Sequence, residues 1–146
     1  MGLAWLIIEN RESIFNRDLK VMSRPRQTPQ RTAIRDAIDR ADRPLSPREV
    51  LDQAREAVPR IGIATVYRNL KDLVEEGWLV TVDLPGEPPR YERAGKAHHH
   101  HFRCRACERV FEVDGCCFIG RDGNLPSGFQ LERHEVILHG LCASCR

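Results

Sequence analysis

The stretch RIGIATVYRNLKDLVEEGWLVTVDLPGEPPRYER, residues 60–93, predicts a helix that leads directly into a hairpin. Its first part carries an apolar face at helical spacing, made of Val66, Leu70, Leu73 and Val74. Gly77 is suited to the helix end, because glycine readily adopts the left-handed backbone that closes many helices. Two short strand-like runs then flank a turn rich in proline and glycine, which is typical of a β-hairpin.

Two shorter helices are predicted upstream of this stretch. Segment 28–41, TPQRTAIRDAIDRA, opens with Thr28 as an N-cap and continues with an apolar stripe at helical spacing. Segment 43–58, RPLSPREVLDQAREAV, has Ser46 and Glu49 at the spacing of a capping box. Three short helices followed by a hairpin are typical of a winged helix-turn-helix domain.

The second half of the chain changes from helices to strands and cysteines. Segment 101–113, HFRCRACERVFEV, reads as a strand, a tight turn with two cysteines, and another strand. Segment 129–146, FQLERHEVILHGLCASCR, alternates as a strand before a second Cys-x-x-Cys. We therefore expect an α+β fold, with a domain boundary near residues 90–97.

Composition and charge describe a globular protein without a strong electrostatic signature. Of the 146 residues, 41% are hydrophobic and 30% are charged, which excludes a disordered chain. The formal net charge of +2 is too small to indicate nucleic-acid binding by itself, so any such binding depends on where the arginines lie.

The start of the chain gives no sign of export. Its apolar run, residues 3–8, has no basic region before it and is far too short to span a bilayer. We therefore expect a cytoplasmic protein with no membrane partner. Residues 1–21 are interpreted as an N-terminal extension that need not be native, because the sequence from Met22 onward reads like a natural beginning.

Four of the six cysteines form two matched Cys-x-x-Cys pairs, which are Cys104 with Cys107 and Cys142 with Cys145. Two such turns brought together supply four thiolates in a tetrahedron, which is a closed structural zinc site. The alternative is two separate redox pairs, although neither has the strand–helix setting of a thioredoxin-type motif. Since a reducing cytoplasm disfavours disulfides, the pairs favour zinc.

Four consecutive histidines, residues 98–101, precede the first cysteine pair. In a strand, His99 and His101 face one side. Glu92 before them and Glu112 on the following strand offer oxygen ligands. Two imidazoles with one or two carboxylates suit zinc, iron(II) or manganese(II).

The other side of the same strand carries His98 and His100, which His134 can join. A lone histidine is more often part of a solvated polar strand. Four histidines beside a candidate zinc turn instead favour metal binding.

Candidate DNA-contacting residues lie on the third helix and before the first. Tyr67 and Arg68 point away from the predicted apolar face, where arginine can bond guanine edges and tyrosine can pack on thymine methyl groups. Arg26 could reach phosphate or an adjacent minor groove. All three could also be ordinary surface residues, and it is the winged-helix context that favours DNA.

Four segments together resemble the ferric uptake regulator family of bacterial metal-responsive repressors. They are ATVYRNLKDLVEEGWL, RYE, HHHHFRCRAC and HGLCASC. The resemblance extends from Arg26 to Cys145. It implies a winged helix joined by a hinge to a small α/β dimerisation domain. It also implies a homodimer that binds double-stranded DNA operators once a regulatory metal is bound, and no enzymatic activity.

The resemblance assigns roles position by position. It implies DNA contacts for Arg26, Tyr67 and Arg68. It implies structural Zn²⁺ ligands at Cys104, Cys107, Cys142 and Cys145. It implies a regulatory hinge site at Glu92, His99, His101 and Glu112, and a third metal site at His98, His100 and His134. The domains become an extension at 1–21, a winged helix at 22–92, a hinge at 93–97 and a metal-binding dimerisation domain at 98–146.

The sequence departs from the family pattern at several positions, and one of them bears on the sensed metal. Pro44 stands where the hinge site often has a further histidine, which favours a four-coordinate ion such as Zn²⁺. Fe²⁺ is the other main candidate for the sensed metal, and Mn²⁺ is a third. A manganese- or peroxide-responsive regulator is the alternative within the family. His100 replaces a usual aspartate, and segment 115–128 supplies no clear acidic partner for the third site. Cys116 and Cys117 fall outside the zinc pattern and are interpreted as loop or small core residues.

The sequence disfavours two other classes of protein, a zinc enzyme and a metallochaperone. A zinc deaminase needs a His-x-Glu near its Cys-x-x-Cys and an open coordination position, whereas this sequence has no His-x-Glu and four cysteines close the site. A metallochaperone would explain the histidines but not Tyr67 and Arg68 on a winged helix.

Overall fold

The computed structural model of the chain describes residues 27–115 and 125–146. The predictions for the 1–21 extension, Arg26, Cys116 and Cys117 therefore lie outside the described residues.

Three helices form the first half, and their ends follow the capping signals in the sequence. They are α1 Pro29–Ala41, α2 Pro47–Ala54 and α3 Ile63–Glu75. The Thr28 side chain accepts a hydrogen bond from the Arg31 backbone amide, and Ser46 and Glu49 form the predicted capping box. Helix α2 ends earlier than the predicted segment 43–58, since residues 55–57 form a turn.

The helices enclose a core made of the predicted apolar stripes. Ile34 and Ile38 of α1 pack with Leu51, Leu70 and Leu73, and each of the five is at most 2% exposed. Burying each side chain contributes on the order of 1.5–3 kcal/mol. Because the core fixes this face of α3, the opposite face of the helix points to solvent.

A two-stranded antiparallel wing follows α3. Strand β1 is Leu79–Val82 and strand β2 is Arg90–Arg93, with Leu79 opposite Arg93. The Tyr91 backbone also bridges to Leu45 just before α2, with N···O distances of 2.8 and 2.9 Å. The wing is thereby attached to the helices, which confirms the predicted winged helix-turn-helix domain.

The second half forms a three-stranded sheet in the order β4-β3-β5. Its strands are β3 His99–Cys104, β4 Val110–Asp114 and β5 Ile137–Gly140. Strand β3 pairs antiparallel with β4 and parallel with β5. The strand predicted within segment 129–146 is thus only four residues long, and the overall fold class is α+β, as expected.

Gly140 allows β5 to lie close to its neighbour. A Cβ atom at this position would be 2.9 Å from a ring carbon of Phe102, closer than real Cβ contacts come. A larger residue would therefore require a shift of the Phe102 ring or of the end of β5, from which the second cysteine pair follows.

Charged side chains join the wing to the cysteine turn. The buried Arg90 guanidinium donates to the Glu49 carboxylate and to the Glu108 carbonyl, each at 2.7 Å. Arg103 of β3 forms an ion pair with Glu87 of the wing turn. These contacts of Arg90 and Arg103 thus connect the winged-helix half of the chain to the second half.

Among the described residues, no helix is long and apolar enough to cross a membrane.

Candidate metal centres and nucleic-acid interface

The four predicted zinc cysteines come together in one cluster. Cys104 ends β3, Cys107 lies in the turn that follows, and Cys142 and Cys145 lie beyond β5. Their sulfurs all lie within 4.8 Å of one another, and the Cys107 and Cys142 sulfurs are 3.8 Å apart. Zinc–sulfur bonds of about 2.3 Å in a tetrahedron place neighbouring sulfurs about 3.8 Å apart. The cluster therefore fits a Zn²⁺ ion, and it does not form two separate redox pairs.

The cluster is arranged to carry negative charge. Hydrogen bonds from the backbone amides of Cys107 and Cys142 lower the pKa of the Cys104 thiol to about 6. Hydrogen bonds with the thiols of Cys142 and Cys107 raise the pKa of Cys145 to about 12. The lowered pKa favours a thiolate at Cys104, and a divalent cation would favour the deprotonation of its neighbours.

The turn that carries Cys107 is closed by its backbone. Glu108 has a φ of 59° and its amide donates to the Cys104 carbonyl at 2.9 Å. The Cys104 amide in turn donates to the Arg109 carbonyl at 2.9 Å. This geometry turns both sulfurs of the first pair toward the second pair.

A second cluster joins the wing to the sheet. The buried Glu92 of β2 faces His99 and His101 of β3, and its carboxylate lies 3.3 Å from the Nε2 atom of each imidazole. The His99 Nδ1–H donates to the Ala97 carbonyl at 2.8 Å, which leaves Nε2 available as a metal ligand. One carboxylate and two imidazoles then converge from two different domains.

The charges of this cluster depend on one another. Burial alone would raise the pKa of Glu92, but the hydrogen bond from His101 and the charges of both imidazoles outweigh burial and lower it. Burial would lower the pKa of His99, but the Ala97 carbonyl and the charges of Glu92 and Glu112 outweigh burial and raise it. The cluster thus attracts positive charge, which a metal ion could supply in place of a proton.

Glu112, the fourth predicted hinge ligand, lies next to this cluster but is engaged elsewhere. It sits opposite His101 in the β3–β4 register, and its carboxylate bonds to the Lys96 ammonium. The same ammonium reaches Asp42 at 3.1 Å. Although burial would lower the pKa of Lys96, these two carboxylates outweigh it and raise the pKa. Lys96 was not among the predicted site residues, since its only local signal is its position in the predicted hinge.

A third cluster lies on the opposite face of β3, as strand alternation predicts. The rings of His98, His100 and His134 have centroids 4.7–5.2 Å apart. His100 is 2% exposed, and neither of its ring nitrogens has a hydrogen-bond partner within residues 27–115 and 125–146. Burial and then the neighbouring histidines lower its pKa, which keeps the imidazole neutral. A buried neutral imidazole without a partner fits a metal ligand.

Both histidine clusters open onto one cleft of about 730 Å³ between the wing and the second sheet. Strand β1 forms one wall, and β3 with residues 133–137 forms the other. Residues of both histidine clusters therefore line the same cleft.

The exposed face of α3 carries the predicted DNA-contacting pair. Tyr67 is 51% exposed and Arg68 is also exposed, whereas Val66 and Leu70 on the same helix are fully buried. The Arg68 guanidinium lies 3.5 Å from the Thr65 hydroxyl, at the limit of a hydrogen bond. These two side chains are therefore free to meet a partner at this face.

Comparison with known proteins agrees with this architecture. The model of the ferric uptake regulator family matches residues 23–139. The ferric uptake regulation protein of Bacillus subtilis is 33% identical over 81% of this chain and 83% of its own. The zinc uptake regulation protein of Mycobacterium tuberculosis is 31% identical over 83% of this chain and 95% of its own.

A solved structure supports the same relationship. The ferric uptake regulator of Helicobacter pylori, a protein with three functional metal binding sites, aligns with a TM-score of 0.66 and 25% identity, over 82% of this chain and 81% of its own. The family model alone covers most of the chain, and the relatives are named as regulators rather than enzymes. This chain belongs to the ferric uptake regulator family of metal-responsive, DNA-binding regulators.

Proposed function

We propose that this protein is a homodimeric repressor that binds operator DNA when a divalent metal occupies the Glu92–His99–His101 cluster. The genes it would control are those for iron or zinc uptake. The observation that carries the proposal is that the cluster draws its ligands from both domains: Glu92 from the wing and the two histidines from the sheet.

A metal at this cluster would act on the position of the winged helix. Glu92 lies on β2, which pairs with β1, and β1 follows α3 after a short turn. A cation that holds Glu92 against β3 therefore favours one arrangement of α3 relative to the sheet. The metal shifts the equilibrium only through its higher affinity for that arrangement.

The favoured arrangement would present α3 to DNA. In a homodimer, two copies of α3 would enter major grooves of a near-palindromic site about one helical turn apart. Arg68 would bond a guanine edge, Tyr67 would pack on thymine methyl groups, and Arg26 would contact the backbone or an adjacent minor groove.

The cysteine cluster would hold a structural Zn²⁺. When bound, the ion supplies tetrahedral cross-linking of four thiolates. In this chain the ligands join the end of β3 to the segment after β5, so the metal would stabilise a small sheet in which, among the described residues, only Cys104 and Val110 are buried apolar side chains. The His98–His100–His134 cluster is a further candidate site for a divalent ion.

The donor set supports Zn²⁺ or Fe²⁺ as the regulatory metal, with Mn²⁺ as a third possibility. Three ligands come together in the cluster, and a fourth would suit tetrahedral zinc. Fe²⁺ and Mn²⁺ more often take additional oxygen or nitrogen ligands, and Pro44 occupies the turn from which one could come. A manganese- or peroxide-responsive regulator is the alternative within the same family.

The proposal is tested with His99→Ala combined with His101→Ala. We expect this variant to keep the cysteine-bound zinc and to lose metal-stimulated DNA binding. His139→Ala is the matched control, because His139 is an exposed histidine of the adjacent strand that belongs to none of the described clusters. Metal-stimulated binding that survives in the double variant would refute the hinge assignment.

A further inference from the structure

Lys96 links the winged helix to the metal-binding sheet. Its ammonium bonds to Glu112 of β4 and lies 3.1 Å from the Asp42 carboxylate at the end of α1. The side chain is 21% exposed, and Glu112 is 17% exposed. The chain has only three lysines among its 23 basic residues, and this one lies in the hinge.

The bridge ends directly beside the Glu92–His99–His101 cluster. Glu112 faces His101 across β3 and β4. Asp42 lies in the other domain, where its left-handed backbone, with a φ of 46°, caps α1. The tethered ammonium therefore makes an interdomain connection close to the one that a metal would make.

The ammonium and a metal ion would compete for the same carboxylate. A carboxylate that ligates a divalent ion loses much of its attraction for an ammonium, and two cations so close repel each other. Lysine is suited to such an exchange, because its charge sits on a flexible stem and its contacts are not held by a rigid fork as in arginine.

From this geometry we infer that Lys96 sets the metal affinity of the regulatory site by holding Glu112 away from the ligand set until a cation displaces it. The inference rests on the proposed regulatory role of the Glu92–His99–His101 cluster. Metal binding then breaks the contacts of Lys96 and makes Glu112 the fourth ligand.

Competition from the Lys96 ammonium lowers the apparent affinity of the regulatory site for metal. When only a fraction of the protein has Glu112 available, the apparent dissociation constant rises in inverse proportion to that fraction. Lys96→Gln removes the competitor, so we expect zinc to bind the regulatory site about three- to tenfold more tightly. Lys96→Arg keeps the charge and adds a fork that can hold the carboxylate more firmly, so zinc should bind no more tightly than in the wild type.

The affinity is measured by zinc titration of protein that retains its cysteine-bound zinc. Arg133→Gln is the matched control, because Arg133 lines the same cleft but pairs with Glu135 and not with Glu112. An equal gain in zinc affinity in Arg133→Gln would overturn the inference, since it would show that the loss of any positive charge near the cleft has the same effect. Unchanged affinity in Lys96→Gln would overturn it as well.

A double-variant cycle isolates the role of Glu112. Glu112→Gln should abolish the gain from Lys96→Gln, because the released carboxylate is then absent. A gain that persists in the Glu112→Gln background would show that Lys96 does not act through Glu112, and would overturn the inference.

Amine acylation provides a readout independent of affinity. Lys71, whose side chain is 76% exposed, is an internal reference on α3. We expect saturating zinc to raise the reactivity of Lys96 relative to Lys71 at least twofold, and an unchanged ratio would overturn the exchange. If the variant His99→Ala with His101→Ala binds zinc as tightly as the wild type, the proposed regulatory site is refuted together with the inference. If that variant loses zinc binding but Lys96→Gln changes neither affinity nor reactivity, only the inference about Lys96 is refuted.

Discussion

Replacing Arg90 with methionine tests the network that holds the wing against the cysteine turn. Arg90 is 6% exposed and donates to the Glu49 carboxylate and the Glu108 carbonyl at 2.7 Å each. Methionine keeps much of the apolar stem but removes the guanidinium.

The cost follows from what each partner loses. A hydrogen bond to a charged group contributes roughly 1.5–3 kcal/mol, and the Glu108 carbonyl would lose its Arg90 donor. Glu49 would keep Arg43 at 2.8 Å and the Ser46 amide at 2.9 Å, so it would not become an isolated buried charge. We therefore expect Arg90→Met to lower the free energy of unfolding by about 2–3 kcal/mol, below the 3–5 kcal/mol of a fully broken buried pair.

The assay is urea unfolding of zinc-loaded protein followed by circular dichroism, with Arg40→Met as the control. Arg40 is 57% exposed and pairs with Glu56, which is 65% exposed. Such an exposed pair contributes about 0.2–1 kcal/mol. If Arg90→Met costs no more than Arg40→Met, the network does not hold the two halves together and the reasoning is wrong.

Three further predictions concern DNA contact, metal removal and pH. Arg68→Ala should weaken specific DNA binding by about 1–3 kcal/mol if Arg68 bonds a base edge bidentately, and an unchanged affinity in a gel-shift or anisotropy titration would exclude that role. Cys107→Ser should lower the metal content by about one zinc per chain and unfold the second sheet at a lower urea concentration; full zinc retention by mass spectrometry would contradict the cysteine cluster as a zinc site. When the regulatory site holds no metal, the pKa of His99 is raised, so the folded state binds the His99 proton more tightly than the unfolded state does. The stability that this proton contributes is fully present below pH 6.5. It is lost as the pH rises through the raised pKa. The unfolding free energy lost in His99→Gln should therefore be larger at pH 6 than at pH 8.5, and a loss that grows with pH would contradict this linkage.

Local features of this fold are predictable because they depend on neighbours in sequence. The capping box of Ser46 and Glu49 fixes the start of α2, and alternation along β3 separates His99 and His101 from His98 and His100. The matched spacing of the two Cys-x-x-Cys pairs likewise predicts one four-cysteine cluster from the sequence alone.

Contacts between distant segments could not be predicted in the same way. Nothing near Lys96 in sequence indicates that it bridges Asp42 and Glu112, because the three residues meet only after the two halves fold. The Arg90 contact to the Glu108 carbonyl is similarly non-local. Helix α2 also ends before the apolar pattern of segment 43–58 does, because the amides of Glu56 and Ala57 donate to carbonyls three residues back and tighten the chain into a turn.

The most direct test of metal control measures metal content and DNA affinity on the same sample. The DNA is a site selected from a random pool by the metal-loaded protein. Mild chelation should remove the metal bound by the histidine clusters, leave about one zinc per chain in the cysteine cluster, and weaken DNA binding by a factor within the roughly 5–150-fold range of typical coupling. Refilling the sites should restore binding. DNA affinity that stays unchanged while the removable metal is lost would contradict regulation through Glu92, His99 and His101.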